Sequence, residues 1–241
     1  RQMCIRDSLT NEEAYKMLRG ANSGVKPELG HRLYRVVKRT VDIVAAGGAL
    51  VLLFIPGVIL SVVICIKSPG ASPLYSQWRV GRVRKDGTFY LFKIYKFRSM
   101  SMDSEKNGAR LAAKGDKRVT PVGKIIRNIH FDELPQLFNI LKGDMSMVGP
   151  RPERKVIADQ YAEEIPEFML RTKVKAGLTG YAQVYGKYNT TPYDKLKFDI
   201  TYIENYSLWL DVKIMLLTFK ILFQKENTEG VDETQQTALK E

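Results

Sequence analysis

The sequence predicts an α+β fold, mostly helical, with a re-entrant membrane helix hairpin, a small β-hairpin and interfacial amphipathic helices. Three observations carry this. Residues 43–66, IVAAGGALVLLFIPGVILSVVICI, form an uncharged run of 24. An Asp86-Gly87 pair sits between two stretches rich in Val, Phe, Tyr and Ile. Most of the remaining chain carries helical spacing broken by Pro or Gly. The expected parts are an N-terminal segment (1–37), the membrane hairpin (38–69), a body (70–224) and a disordered polar tail (225–241).

Taken in order, the apolar run comes first. A straight helix of that length would cross a hydrocarbon layer of about 30 Å. Pro56, followed by Gly57, lies mid-run, removes a backbone donor and crowds the preceding turn. Lys26, Arg32, Arg35, Lys38 and Arg39 precede the run, and Lys67, Arg79, Arg82, Arg84 and Lys85 follow it. Basic flanks prefer the cytoplasmic side, so two of them favour a helix that enters one leaflet and returns at Pro56. The backbone groups freed there would need partners, Ser61 among the candidates. A kinked spanning helix and a buried helix of a soluble core are the alternatives.

Residues 77–100 read as a hairpin turning at Asp86-Gly87. The polar stretch 103–118 reads as a surface loop or weak helix. A short helix is expected over 135–141, starting near Pro135 because a residue before proline, here Leu134, avoids helical angles. Gly143 is its expected C-terminal cap. A helix over 152–172 is cut by Pro166, 173–190 reads as loop or strand-turn, and 193–206 as helix. Residues 207–224 are apolar but hold Asp211, Lys213 and Lys220, which favours an interfacial helix anchored by Trp209 over a spanning one. A core helix remains the competing reading.

Lys plus Arg exceed Asp plus Glu by 38 − 26 = +12. That excess points to an anionic partner: phosphate, anionic lipid or nucleic acid. The basic residues are dispersed and flank the apolar run, so no nucleic acid partner is expected. Cys4 and Cys65 are far apart, which leaves no disulfide framework and favours a reducing compartment. The chain opens at Arg1, so an N-terminal extension is left open.

Asp132 and Glu133 stand just ahead of the 135–141 helix, where free amides and the helix dipole favour carboxylates and phosphate alike. Two readings stay open: a helix cap or a reactive pair. Neighbours favour the second. Arg127 lies five residues upstream, Arg151 is fixed between Pro150 and Pro152, and Lys96 and Arg98 end the hairpin. A guanidinium on a stiff backbone suits bidentate phosphate binding. A plain ion pair with the carboxylates is the competing reading, real for Arg127 and weaker for Arg151. Carboxylates without a His or Cys cluster suit a hard oxygen-ligand ion, Mg²⁺. His130 is near the dyad and reads as structural. Adjacent carboxylates diverge, unlike a glycosidase pair, so a carboxylate attacking phosphorus fits better.

KFRSM (96–100), DELPQLFNILKGDMSMVGPRPE (132–153) and GLTGYAQVYGK (177–187) resemble the bacterial sugar transferase family, the monotopic phosphoglycosyl transferases. The resemblance runs from Tyr34 to Gln224. It implies transfer of sugar-1-phosphate from a UDP-sugar to undecaprenyl phosphate, with release of UMP, to start capsule, exopolysaccharide, O-antigen or glycoprotein glycan assembly. It implies a ping-pong route in which Asp132 is the nucleophile and Glu133 helps bind Mg²⁺, and phosphate contacts from Arg127 and Arg151. It also implies catalytic helices on the cytoplasmic face of the bacterial inner membrane, in contact with membrane lipid. The family's hairpin break matches Pro56, and its preceding basic pair matches Lys38 and Arg39. A homodimer is left open. Ala176, Tyr185 and Lys187 replace the common Pro, Asn and Arg of the third motif, away from the dyad, and leave the sugar unassigned. The reading from another class is a basic membrane-bound adaptor without catalysis, which would not require Arg151 between prolines beside the dyad.

Overall fold

Helix α1 (Leu29–Lys67) opens the computed structural model, which describes residues 29–83, 89–101, 104, 116–186 and 190–222. It is followed by β1 (Leu74–Val83), β2 (Phe89–Phe97), α2 (Pro121–Asn128), a 3₁₀ turn (Phe131–Glu133), α3 (Gln136–Lys142) and β3 (Ser146–Val148). Then come α4 (Lys155–Glu164), a 3₁₀ helix (Pro166–Lys173), β4 (Gly177–Thr179), α5 (Tyr181–Tyr185), α6 (Pro192–Asn205) and α7 (Leu208–Leu222). The chain is mostly helical with a small antiparallel hairpin, as the sequence predicts, and it holds one long apolar helix. The Asp86-Gly87 turn, most of 103–118, residues 1–28, Lys187 and the 225–241 tail lie outside the described residues.

Helix α1 carries Pro56 inside it. The expected division into two helices is not seen: the secondary structure stays helical on both sides of the proline. Proline removes one amide donor and leaves the flanking turns their own bonds. Ser61 Oγ donates to the Gly57 carbonyl at 2.8 Å, a local bond of the kind that bends helices. Both halves of α1 rest on the same body. Ala46 packs with Leu137 and Ile140, while Ile64 packs with Phe97 and Ile126. Between them one face of the helix is bare, Val51 and Leu52 being 79% exposed each, while Ala49, Leu50 and Leu60 lie against the same clusters. Residues Leu33–Lys67 are long and apolar enough to cross a membrane, and only 6% of their most apolar window is buried. A soluble core helix would be largely covered, so that alternative is disfavoured.

Strands β1 and β2 pair antiparallel from Leu74 opposite Phe97 to Val83 opposite Phe89, with a register shift between Val80 and Val83. The outer edge of β2 is closed by one side chain. Asn139, fully buried on α3, accepts from Tyr95 N–H at 3.1 Å and donates to the Lys93 carbonyl at 2.7 Å. The amide thus pairs with the strand as a neighbouring peptide would.

Leu134 corrects an expectation. It takes helical angles, φ −51° and ψ −40°, although proline follows. The 3₁₀ turn runs straight into α3: Leu134 N–H donates to Phe131, and Leu137 N–H to Leu134. Leu134 also packs against two core clusters, which outweighs the pre-proline bias. Gly143 caps α3 as expected, at φ 94° with its N–H shared between the Asn139 and Ile140 carbonyls. Pro166 separates α4 from the 3₁₀ helix, also as expected.

A second, parallel pair joins β3 to β4, with Ser146 opposite Gly177 and Val148 opposite Thr179. The backbones meet closely at Gly149 and Gly177, where an added Cβ on Gly177 would lie 2.1 Å from Gly149 N. Helix α1 supports this pair. The Asp42 carboxylate accepts from Ser146 Oγ at 3.0 Å and Met147 N–H at 2.9 Å.

Candidate active site

The dyad occupies the 3₁₀ turn one step ahead of α3. His130, with φ 54° and in the left-handed region, turns the chain from α2 into it. Asp132 and Glu133 are each 8% exposed. Lys96, near the end of β2, reaches Glu133 Oε1 at 2.6 Å. Arg151 grips the same carboxylate with both terminal nitrogens, Nη1 to Oε2 at 3.1 Å and Nη2 to Oε1. The two cations hold the Glu133 carboxyl well below its ordinary range, against the opposing effect of burial. The Arg151 guanidinium is held correspondingly firmly in its charged form by Glu133.

Asp132 is treated differently. Burial raises its carboxyl above the usual value, and the neighbouring Glu133 charge adds to that, while Lys96, Arg127 and His130 oppose it. Among the described residues no basic side chain is ion-paired to Asp132. Two adjacent carboxylates therefore have opposite characters: Glu133 is a clamped anion and Asp132 a more basic one. Such a split marks a site that can divide two roles.

The structure brings together Asp132, Glu133, Lys96 and Arg151. Arg127 ends α2 one short turn away, and its charge acts on Asp132. Arg98 goes elsewhere. It is buried, and its Nη2 donates to the Ser68 carbonyl just beyond α1, so it ties the hairpin to the apolar helix. Lys38 and Arg39 are also anchors. Lys38 Nζ lies 2.7 Å from Asp211 on α7 and donates to the Val148 carbonyl at 3.1 Å. Arg39 donates to the Ile140 and Leu141 carbonyls at 2.5 and 2.7 Å, where the end of α3 favours a cation. Pro56 lies on the bare stretch of α1, in the body of the helix rather than at the dyad.

Sequence reasoning missed four supporting residues. Asn139 was detectable as a polar residue set amid LFNIL. Asp42 was detectable as the last charge before the apolar run. Arg171 and Asp199, which lie behind Arg151, carry no local signal.

The dyad offers oxygen donors, the type a hard divalent ion takes together with substrate phosphates and water, and in this arrangement both Glu133 oxygens are engaged by Lys96 and Arg151. Among the described residues no group of three or more His, Cys, Asp or Glu forms a self-sufficient metal site.

The fold and site together define a class: an acidic pair with phosphate-type cations, mounted on a body that leans against a bare apolar helix. The chain belongs to the bacterial sugar transferase family, whose model matches residues 33–225. It is 46% identical over 193 residues to a UDP-N-acetylgalactosamine-undecaprenyl-phosphate N-acetylgalactosaminephosphotransferase of Aeromonas hydrophila, covering 79% of this chain and 44% of that protein. It is 40% identical over 190 residues to a UDP-glucose:undecaprenyl-phosphate glucose-1-phosphate transferase of Escherichia coli K12, covering 76% of this chain and 39% of that one. A Caulobacter vibrioides protein with the same UDP-glucose name is 41% identical over 196 residues, covering 79% and 71%. The chain thus spans under half the length of the first two relatives.

Proposed function

We propose that this chain transfers sugar-1-phosphate from a UDP-sugar to undecaprenyl phosphate through a phosphoryl-Asp132 intermediate. The observation that carries the reading is the division of the dyad. Glu133 is clamped by Lys96 and Arg151, while Asp132, beside it, is kept basic by burial and free of an ion pair among the described residues.

An Asp132 oxygen attacks the phosphorus that bears the sugar. The P–O bond to UMP breaks and UMP leaves with that bridging oxygen. A phosphate oxygen of undecaprenyl phosphate then attacks the same phosphorus, the P–O bond to Asp132 breaks, and the carboxylate is restored. Arg151 and Lys96, with Arg127 nearby, hold phosphate oxygens and offset the charge that gathers as two anions approach. Mg²⁺, held by Glu133 with donor phosphates, would supply further neutralisation of the diphosphate. A covalent intermediate lets a water-soluble donor and a lipid acceptor use one site in turn.

The apolar helix sets the site at the level of the lipid phosphate, on the cytoplasmic face of a bacterial inner membrane. Re-entry at Pro56 is supported by the packing of both halves of α1 on one body and by the basic flanks. Helix α7 lies in the interface. Its Trp209, Leu216 and Phe219 are exposed, while Ile214 and Asp211 face inward.

The test is UMP release from UDP-N-acetylgalactosamine, UDP-glucose and UDP-galactose with undecaprenyl phosphate. Release requires Mg²⁺ and stops in Asp132→Asn. Membrane binding without UMP release from these donors would favour the adaptor reading.

A further inference from the structure

Arg151 is held by a turn that offers little to hold. Pro150 and Pro152 have no N–H, so this stretch is secured through its carbonyls. Three of them are bound, each by a different element. The Pro150 carbonyl accepts from Gly177 N–H of β4 at 2.9 Å, and the Glu153 carbonyl from Val80 N–H of β1 at 3.0 Å. The carbonyl of Arg151 itself accepts from a side chain, Arg171 Nη2, at 2.9 Å.

Arg171 is 6% exposed and sits in the 3₁₀ helix, its guanidinium carbon 4.8 Å over the Phe168 ring. The same Nη2 lies 2.8 Å from Asp199 Oδ2 on α6, and Nη1 lies 3.7 Å from Glu153 Oε1. Asp199 is 1% exposed. A cation buried this deeply needs such charged partners. A lysine could keep the charge but not the planar group that lies over the Phe168 ring, sets Nη2 between Asp199 and the Arg151 carbonyl and turns Nη1 towards Glu153.

We infer that Arg171, oriented by Asp199, is a positioning residue that fixes the main chain of Arg151 and so aims its guanidinium at the Glu133 carboxylate and the donor phosphates. This rests on the reading of Arg151 as a phosphate-holding group. Arg171 touches neither the dyad nor, in this scheme, the substrate. Its effect is confined to where Arg151 points.

The experiment is a double-mutant cycle on the full chain in nanodiscs, reading UMP release from the fastest of the three UDP-sugars together with the melting temperature. Arg171→Lys lowers kcat by about 10- to 100-fold, the size of a misplaced catalytic group, with KM changed less than about 3-fold. In an Arg151→Ala background the same change has no further effect on kcat, because the group it aims is gone. Asp199→Asn repeats the pattern and carries the cycle if Arg171→Lys does not fold. Ile157→Val, in the same core cluster, lowers the melting temperature and leaves kcat unchanged. Unchanged kcat in both Arg171→Lys and Asp199→Asn, or losses that multiply with that of Arg151→Ala, would show that the pair only stabilises the core and overturn the inference. Wild-type turnover in Arg151→Ala would overturn the phosphate reading of Arg151, and this inference with it.

Discussion

Replacing Asn139 with Leu tests how the site is built. The side chain is fully buried, and its amide satisfies two backbone groups on the outer edge of β2, Tyr95 N–H and the Lys93 carbonyl, besides donating to Asp144 Oδ2 at 3.3 Å. Leucine fills a similar volume but pairs with none of them. Each orphaned buried group costs about 1–3 kcal/mol, so the loss is roughly 2–5 kcal/mol after some apolar gain. For a chain of this size about 1 kcal/mol moves the melting temperature roughly 2–4 °C, giving a drop of roughly 5–15 °C. Lys96 follows on β2 and the dyad precedes α3, so loosening the α3–β2 contact also slows UMP release. Differential scanning fluorimetry in nanodiscs and the UMP assay on the same samples read both effects. A drop under about 2 °C with unchanged turnover would refute the peptide-mimic role.

The two carboxylates make opposite predictions for stability. Asp132 has its folded-state value raised above the unfolded 3.8, so wild-type stability falls as pH rises through the interval above 3.8. Asp132→Asn therefore melts higher than wild type at pH 7 in EDTA, and the gap closes near pH 4. Glu133 is lowered below 4.5, so its contribution is present above that pH and lost as pH falls. Glu133→Gln is less stable at pH 7 by about 2 kcal/mol, between the values for exposed and fully buried pairs because Arg151 is 42% exposed. For re-entry, cysteines placed at Thr40 and Lys67, with Cys4 and Cys65 changed to Ser, react with an impermeant maleimide from the same side of sealed vesicles. Labelling from opposite sides would establish a span. For α7, Trp209 fluorescence in a Trp78→Phe background is quenched by brominated lipid. Absence of quenching would place that face away from the bilayer.

What the sequence made legible was local. The β1–β2 hairpin followed from its Val, Phe, Tyr and Ile content, the end of α3 from Gly143, and the separation of α4 from Pro166. The helices expected over 193–206 and 207–224 are found over 192–205 and 208–222, and the structure adds the cap at the first of them, where Thr191 Oγ1 accepts from Asp194 N–H at 3.1 Å. What escaped was long-range. The β3–β4 pair joins two three-residue strands 31 positions apart (Ser146 to Gly177), too short for any alternating pattern. Lys96 and Arg98 share one local signal, the hairpin end, yet one turns to Glu133 and the other to the Ser68 carbonyl. At Pro56 the expectation was a kink or break, and the chain keeps helix on both sides of the proline. At the site, Lys96 and Arg151 were found because the hairpin end and the Pro-Arg-Pro run are local signals. The Arg171–Asp199 support was not, since its partners stand 28 positions apart with β4 and α5 between them.

Intact-protein and peptide mass spectrometry after mixing the chain with its donor and Mg²⁺, in the absence of acceptor, goes to the centre of the account. The expected result is one added sugar-phosphate on the peptide holding Asp132, absent in Asp132→Asn and discharged by undecaprenyl phosphate. Full turnover with an unmodified polypeptide at every time point would contradict it.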